Sequence, residues 1–178
     1  MFMHLIDGGV TMNDNVTIAK GSNSKFALVQ SIISSFTLQR MLASKTVECG
    51  VVCATGNDSL QECVELRRPS ADSLKLIQDI ELEGADSGNL LGGLNEAHEI
   101  LMTTNQGKKF NRVLIMHTDA ETSPGSQNNA ELQSLQQELV NNGVLFYLLV
   151  LCDQSREDLN SAVSDNIAQY QEFVDRYI

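Results

Sequence analysis

Met1 to Ile6 is an apolar run interrupted only by His4, and it stops at Asp7, Gly8 and Gly9. Too short for a helix, it predicts a buried strand that opens into a loop. After a loop over 8–16 the period changes. Phe26, Val29, Ile33 and Phe36 recur at helical spacing within an amphipathic stretch of about 22–45, with Ser22 or Ser24 as the candidate cap. Val47 to Thr55, rich in β-branched residues and thiols, predicts the next strand, closed by the turn signal Gly56-Asn57-Asp58. Cys63 to Arg68 alternates apolar with polar, as an edge strand in a hairpin does, and Pro69 ends it because proline cannot donate to the ladder.

Ser70 and Asp72 are placed to cap a helix carrying Leu74, Ile77 and Ile80, and a further helix presents Leu90, Leu94, Ala97 and Leu101. Arg112 to Thr118 is another continuous apolar run and, like the first, it delivers an acid, Asp119. A polar loop over 120–129, containing Pro124-Gly125, leads into a helix of about 130–142 with Gly143 as its C-cap. The strand Val144 to Cys152 and a closing helix over 155–177, with Leu159, Val163 and Ile167 inward, complete the chain. Alternating strands and helices with short connections predict an α/β fold. The expected architecture is a doubly wound, mainly parallel six-stranded sheet with one antiparallel edge strand and helices on both faces.

At 178 residues and 42% hydrophobic, the chain has enough apolar material for one sizeable core and too little for two, so a single domain over 1–178 is expected. Charge narrows the function. Twelve basic against 23 acidic residues leave a net charge of −11, and no basic run exceeds Arg67-Arg68 or Lys108-Lys109. A surface that neutralises phosphates needs the opposite balance, so direct nucleic-acid binding is not expected of this chain. The four cysteines, Cys49, Cys53, Cys63 and Cys152, form no CxxC pair and suit neither a zinc cluster nor a disulfide framework. Cys49 and Cys53 share a strand face at about 13 Å, beyond disulfide reach. Reduced, buried thiols in a cytosolic or nuclear protein are the expectation. No apolar stretch approaches the roughly 20 residues of a membrane span, and no charged leader precedes the first apolar run.

Two central strands ending in Asp7 and Asp119 put a candidate site at the edge where open α/β sheets bind ligands. A phosphohydrolase of the haloacid dehalogenase type uses an aspartate nucleophile after the first strand and a second acid two residues later as proton donor. Here that position is Gly9, which carries no proton. A dinucleotide site needs GxGxxG opening directly into a helix, whereas Gly8 and Gly9 are adjacent and about ten residues short of one. The third chemistry is a hard divalent cation, which wants about six oxygen donors, with hydroxyls at alternate positions after Asp7 pointing to one side.

That third arrangement resembles the metal-ion-dependent adhesion site of von Willebrand factor A domains: DxSxS after the first strand, a mid-chain threonine, and an aspartate after the fourth strand. This chain keeps Asp7, Thr11 and Asp119. Gly9 replaces the first hydroxyl, and the threonine position falls at Gly88, with Asp86 and Ser87 as the adjacent oxygen donors. The set reads as vestigial. No cofactor is expected, and the remaining donors plus water would hold Mg²⁺ only weakly.

The resemblance extends to longer segments. DGGVTMN from Asp7, NLLGGLNEAHEIL from Asn89 and GKKFNRVLIMHTDAET from Gly107 are together similar to the N-terminal domain of the larger subunit of the Ku heterodimer, over about 1–153. The most specific part is Gly107 to Asp119. Proteasomal ubiquitin receptors and transcription factor H subunits share the domain type and stand as alternatives. The Ku resemblance implies a nuclear, non-catalytic protein–protein interaction domain. Such a domain recruits repair factors through short peptides for non-homologous end joining of double-strand breaks, with a further role in telomere maintenance. It would partner the smaller Ku subunit in the full-length protein and meet double-stranded DNA ends only through other domains, with no membrane contact. The rival from another class is a metal-dependent phosphohydrolase using Asp7 and Asp119.

His4 and His117 precede the two acids at different offsets, three and two residues back, so they are not expected to converge on one site and read as satisfied core histidines. His98 reads as helix surface. Glu121, Thr122 and Ser123 read as solvated loop, and Asp79, Glu81, Glu83 and Asp86 as a solvated acidic rim.

Overall fold

A computed structural model describes residues 1–18, 21–55, 60–82, 89–104, 110–123, 129–151 and 161–175. In chain order they form β1 (Phe2–Asp7), a 3-10 turn (Val10–Asn13), β2 (Asn15–Ile18), β3 (Gly21–Ser24) and α1 (Lys25–Ala43). There follow β4 (Cys49–Ala54), β5 (Leu60–Arg67), α2 (Ala71–Gln78) and α3 (Leu90–Thr103), then β6 (Arg112–Thr118), α4 (Asn129–Asn141), β7 (Val144–Val150) and α5 (Ser161–Asp175).

The sheet has the order β5-β4-β1-β6-β7. β1 pairs in parallel with both β4 and β6, β6 pairs in parallel with β7, and β5 is the antiparallel edge. The fold class is therefore the expected one, with five strands among the described residues rather than six. β2 and β3 pair with each other as a separate antiparallel ribbon. β2 carries the strand-favouring Val16, Thr17 and Ile18, whereas β3, Gly21-Ser22-Asn23-Ser24, has none of the residues enriched in strands and is extended by its pairing with β2.

Each face of the sheet has its own core. On one side Leu5, Val52 and Leu114 pack under Leu94, Ala97 and Leu101 of α3, Leu135 and Leu139 of α4, and Tyr170 and Phe173 of α5. On the other, Ile6, Val51 and Cys53 pack under Phe26, Val29 and Ile33 of α1 and Ile77 of α2. β1, β4 and β6 are buried along almost their whole length because helices cover both faces, which is why they read as continuous apolar runs. β7 alternates instead: Val144 and Phe146 are buried while Leu145, Tyr147 and Leu149 remain 51%, 54% and 40% exposed.

The helix ends follow their sequence signals. Ser24 caps α1 through Ala27 N–H, and Ser70 with Ser73 forms a capping box on α2. Gly143 takes the left-handed φ of 62° that the C-cap of α4 requires. His98 departs from its expected place on the surface: it is buried between α3 and α4, with Nε2 at 3.1 Å from Asn142 Nδ2 and Nδ1 at 3.8 Å from Glu138. The expected turn at Gly56-Asn57-Asp58, the loop with Pro124-Gly125, Cys152, Leu159 and the acidic Glu83 and Asp86 lie outside the described residues.

Candidate functional site

β1 lies between the strands that follow it on one side and those that follow on the other, so the β1–β6 boundary is the point where the winding reverses. Ligand crevices of open α/β sheets form there. Asp7 and Asp119 both sit at this corner, 0% and 2% exposed. The register pairs Ile6 with His117, which carries Asp7 level with Thr118 and leaves Asp119 one residue farther out.

Each oxygen of Asp7 accepts a hydrogen bond: Oδ1 from Gly9 N–H at 2.9 Å and Oδ2 from the Thr118 hydroxyl at 2.6 Å. Burial still dominates, lifting the carboxyl from 3.8 to about 6, with the neighbouring Asp119 charge adding to the rise. Gly8 turns the chain where its N–H donates to Ala54 O at 3.0 Å, and a Cβ there would collide with that carbonyl. The glycine pair thus serves close backbone approach and the Asp7 hydrogen bond, not a phosphate.

Asp119 is held by a side chain that the sequence pattern did not single out. Lys25 Nζ lies 2.7 Å from Asp119 Oδ2, and both side chains are buried. Lys25 is the first residue of α1, where a cation opposes the helix dipole. Its position is explained by the acid it meets, together with its own N–H donating to Asp14 O at 3.0 Å. Asp119 Oδ1 accepts from Glu121 N–H at 3.1 Å, and Ala120 between them takes φ 61°, a left-handed conformation uncommon outside glycine. α5 fixes this loop: Asn166 Nδ2 donates to Ala120 O at 2.9 Å and Tyr170 Oη to Thr122 O at 2.9 Å. Burial raises the Tyr170 hydroxyl above its ordinary range, so it stays a neutral donor.

This donor set does not fit a resident divalent metal. An ion between Asp7 and Asp119 would have to displace the Lys25 ammonium, which already supplies the positive charge. Gly9 aims an N–H, not an oxygen, at Asp7. The hydroxyl that reaches Asp7 is that of Thr118, while Thr11 sits half-buried in the 3-10 turn. Gly88, with Asp86 and Ser87, lies outside the described residues. Of the expected positions, Asp7, Gly9 and Asp119 come together; Thr118 and Lys25 complete the corner and were missed. A lysine opening a helix against its dipole was the available signal.

Beneath the corner His4 and His117 do meet, contrary to expectation. His4 Nδ1 is 3.0 Å from His117 Nε2 and the rings stack at 5.3 Å. Their different offsets still converge because Asp7 and Asp119 are not level: the register sets the two acids one residue apart. Nor are the histidines fully satisfied: His4 Nε2 and His117 Nδ1 are buried without a hydrogen-bond partner. Burial pushes His4 down to about 3, helped by its neighbour, and His117 to about 4. Two neutral imidazoles sharing one proton bridge are the consequence.

No protein-family model matches the sequence, and no curated protein matches it. The fold has structural counterparts. BatB from Bacteroides thetaiotaomicron superimposes with a TM-score of 0.67 at 13% identity, over 96% of this chain and 86% of that one. An aerotolerance-related membrane protein from Bacteroides fragilis gives 0.63 at 13%, over 96% and 87%. The SpRpn10 VWA domain gives 0.62 at 14% identity, over 94% of this chain and 93% of that domain. Sheet order, the switch-point acids and these superpositions agree: the chain has a von Willebrand factor A-like fold.

Proposed function

We propose that this chain is a non-catalytic protein-interaction module. The observation that carries the reading is the buried Lys25–Asp119 ion pair, which neutralises from within the corner where an A-type fold would hold an ion or run a reaction. Asp7 is fully buried beside it with a hydrogen bond on each oxygen, a poor nucleophile and an inaccessible base. Recruitment then falls to the outer faces, and the exposed Leu145, Tyr147 and Leu149 of β7 supply apolar surface of the kind partners cover.

The finer reading is a Ku-like role: recruiting peptide-bearing factors to double-strand break repair by end joining, in the nucleus, alongside a smaller Ku-type subunit and with DNA held by other domains. It rests on the sequence similarity from Gly107 to Asp119 and on the acidic balance, which leaves DNA to a partner. Affinity purification of the tagged chain from its own cells tests it. End-joining factors in the eluate support the Ku-like role. Proteasome or transcription factor H subunits transfer the chain to one of those assemblies, and turnover of a phosphate ester that is lost in Asp7→Asn overturns the non-catalytic reading altogether.

A further inference from the structure

Cys53 and Cys63 were expected only as reduced, buried thiols, and their sulfurs lie 2.9 Å apart across the β4–β5 hairpin. The strand register explains the encounter. Val52 pairs with Glu62 and Cys53 with Gln61, but Val51 pairs with Val64, so the ladder skips Cys63. At such a bulge the extra residue loses its rung and its side chain is re-aimed. Cys63 and Val64, neighbours that should face opposite sides, both pack on the core that contains Cys53. The sulfurs stand about 0.9 Å beyond a covalent S–S bond, a gap that side-chain rotation closes. Access is asymmetric: Cys53 is 1% exposed, while Cys63 is half-buried at the edge strand.

We propose that Cys53 and Cys63 are a reversible oxidation site, at which hydrogen peroxide or a related peroxide converts the pair into a cross-strand disulfide. The Cys63 sulfur attacks one peroxide oxygen and breaks the O–O bond. It becomes a sulfenic acid, and the departing hydroxide leaves as water with the thiol's proton. The Cys53 sulfur then displaces the new hydroxyl, which departs with the Cys53 proton as a second water, and the S–S bond forms. Two thiols give up two electrons and the peroxide is reduced to two waters. Exposure favours this division of roles: Cys63 at the edge strand is the thiol a peroxide can reach, and the buried Cys53 is the one left to resolve it. The product staples β5 and its bulge to the sheet until a dithiol reduces it.

The test treats the purified chain with stoichiometric hydrogen peroxide, blocks remaining thiols under denaturing conditions, and maps peptides without reduction. The expected result is one linked peptide pair, Cys53 with Cys63, in monomeric protein and reversed by dithiothreitol. Its thermal midpoint should rise on the order of 5–10 °C. In Cys53→Ser the oxidation should stop at Cys63 sulfenic or sulfinic acid, and in Cys63→Ser residue 53 should stay reduced. Wild-type protein in which both thiols remain alkylatable, in which Cys63 over-oxidises without linking, or in which the bond forms to Cys49 or Cys152 overturns the proposal.

Discussion

Lys25→Met isolates the claim that the switch-point corner is neutralised from within. The substitution keeps the length and most of the apolar stem while removing the charge 2.7 Å from Asp119. At an effective dielectric constant of about 20 the lost Coulomb attraction is on the order of 6 kcal/mol. Two terms reduce it: an ammonium no longer has to be desolvated, and a cation is removed from a helix N-terminus, the latter contributing about 0.3–1 kcal/mol. The expected net loss is about 3–5 kcal/mol, because an Asp119 side chain with no exposure is left with only the Glu121 N–H. With a urea m-value of about 2 kcal/mol/M, the unfolding midpoint should fall by roughly 1.5–2.5 M with unchanged slope. Asp119→Asn added to Lys25→Met should recover most of that loss, since the orphaned charge is gone. A Lys25→Met loss below about 1 kcal/mol, the value of a surface pair, would refute the argument.

Asp7→Asn should stabilise the protein above pH 6. Burial holds the folded carboxyl at about 6 against 3.8, so between these values the folded state binds the extra proton and stability falls as pH rises; ionised Asp7 costs at most about 3 kcal/mol at pH 7. Denaturant melts should show a gain of about 1–3 kcal/mol at pH 7.5 that vanishes near pH 4, and a loss at pH 7.5 contradicts the account. The histidine pair acts in the opposite sense. His4 and His117, at about 3 and 4 when folded against 6.5, charge readily only when unfolded, so stability drains as pH falls below 6.5. Two such groups give a slope of about 2.7 kcal/mol per pH unit, opposed by about 1.4 from Asp7 below pH 6. Circular dichroism of His4→Phe with His117→Leu should place acid unfolding at lower pH than in the wild type; an unchanged midpoint removes the histidines from the account. Finally, millimolar Mg²⁺ should leave the wild-type thermal midpoint unmoved, and a shift of several degrees means that the ion displaces Lys25.

Much of the fold was written in local pattern. The apolar runs at Met1–Ile6 and Arg112–Thr118, the helical spacing of Leu90, Leu94, Ala97 and Leu101, and the caps at Ser24, Ser70 and Gly143 all act over a few residues, and each appears where the sequence placed it. The two strand-end acids were legible for the same reason, and adjacent parallel strands brought them together. Three features depended on distances that no local pattern encodes. Lys25 meets Asp119 across 94 positions, His4 meets His117 because the register sets the two acids one residue out of step, and Cys63 meets Cys53 because a bulge removes one rung of the ladder. Sequence periodicity states which face a side chain occupies; only strand register and helix docking state which side chain lies opposite, and that pairing decides whether a buried charge, imidazole or thiol becomes a site or a satisfied neighbour.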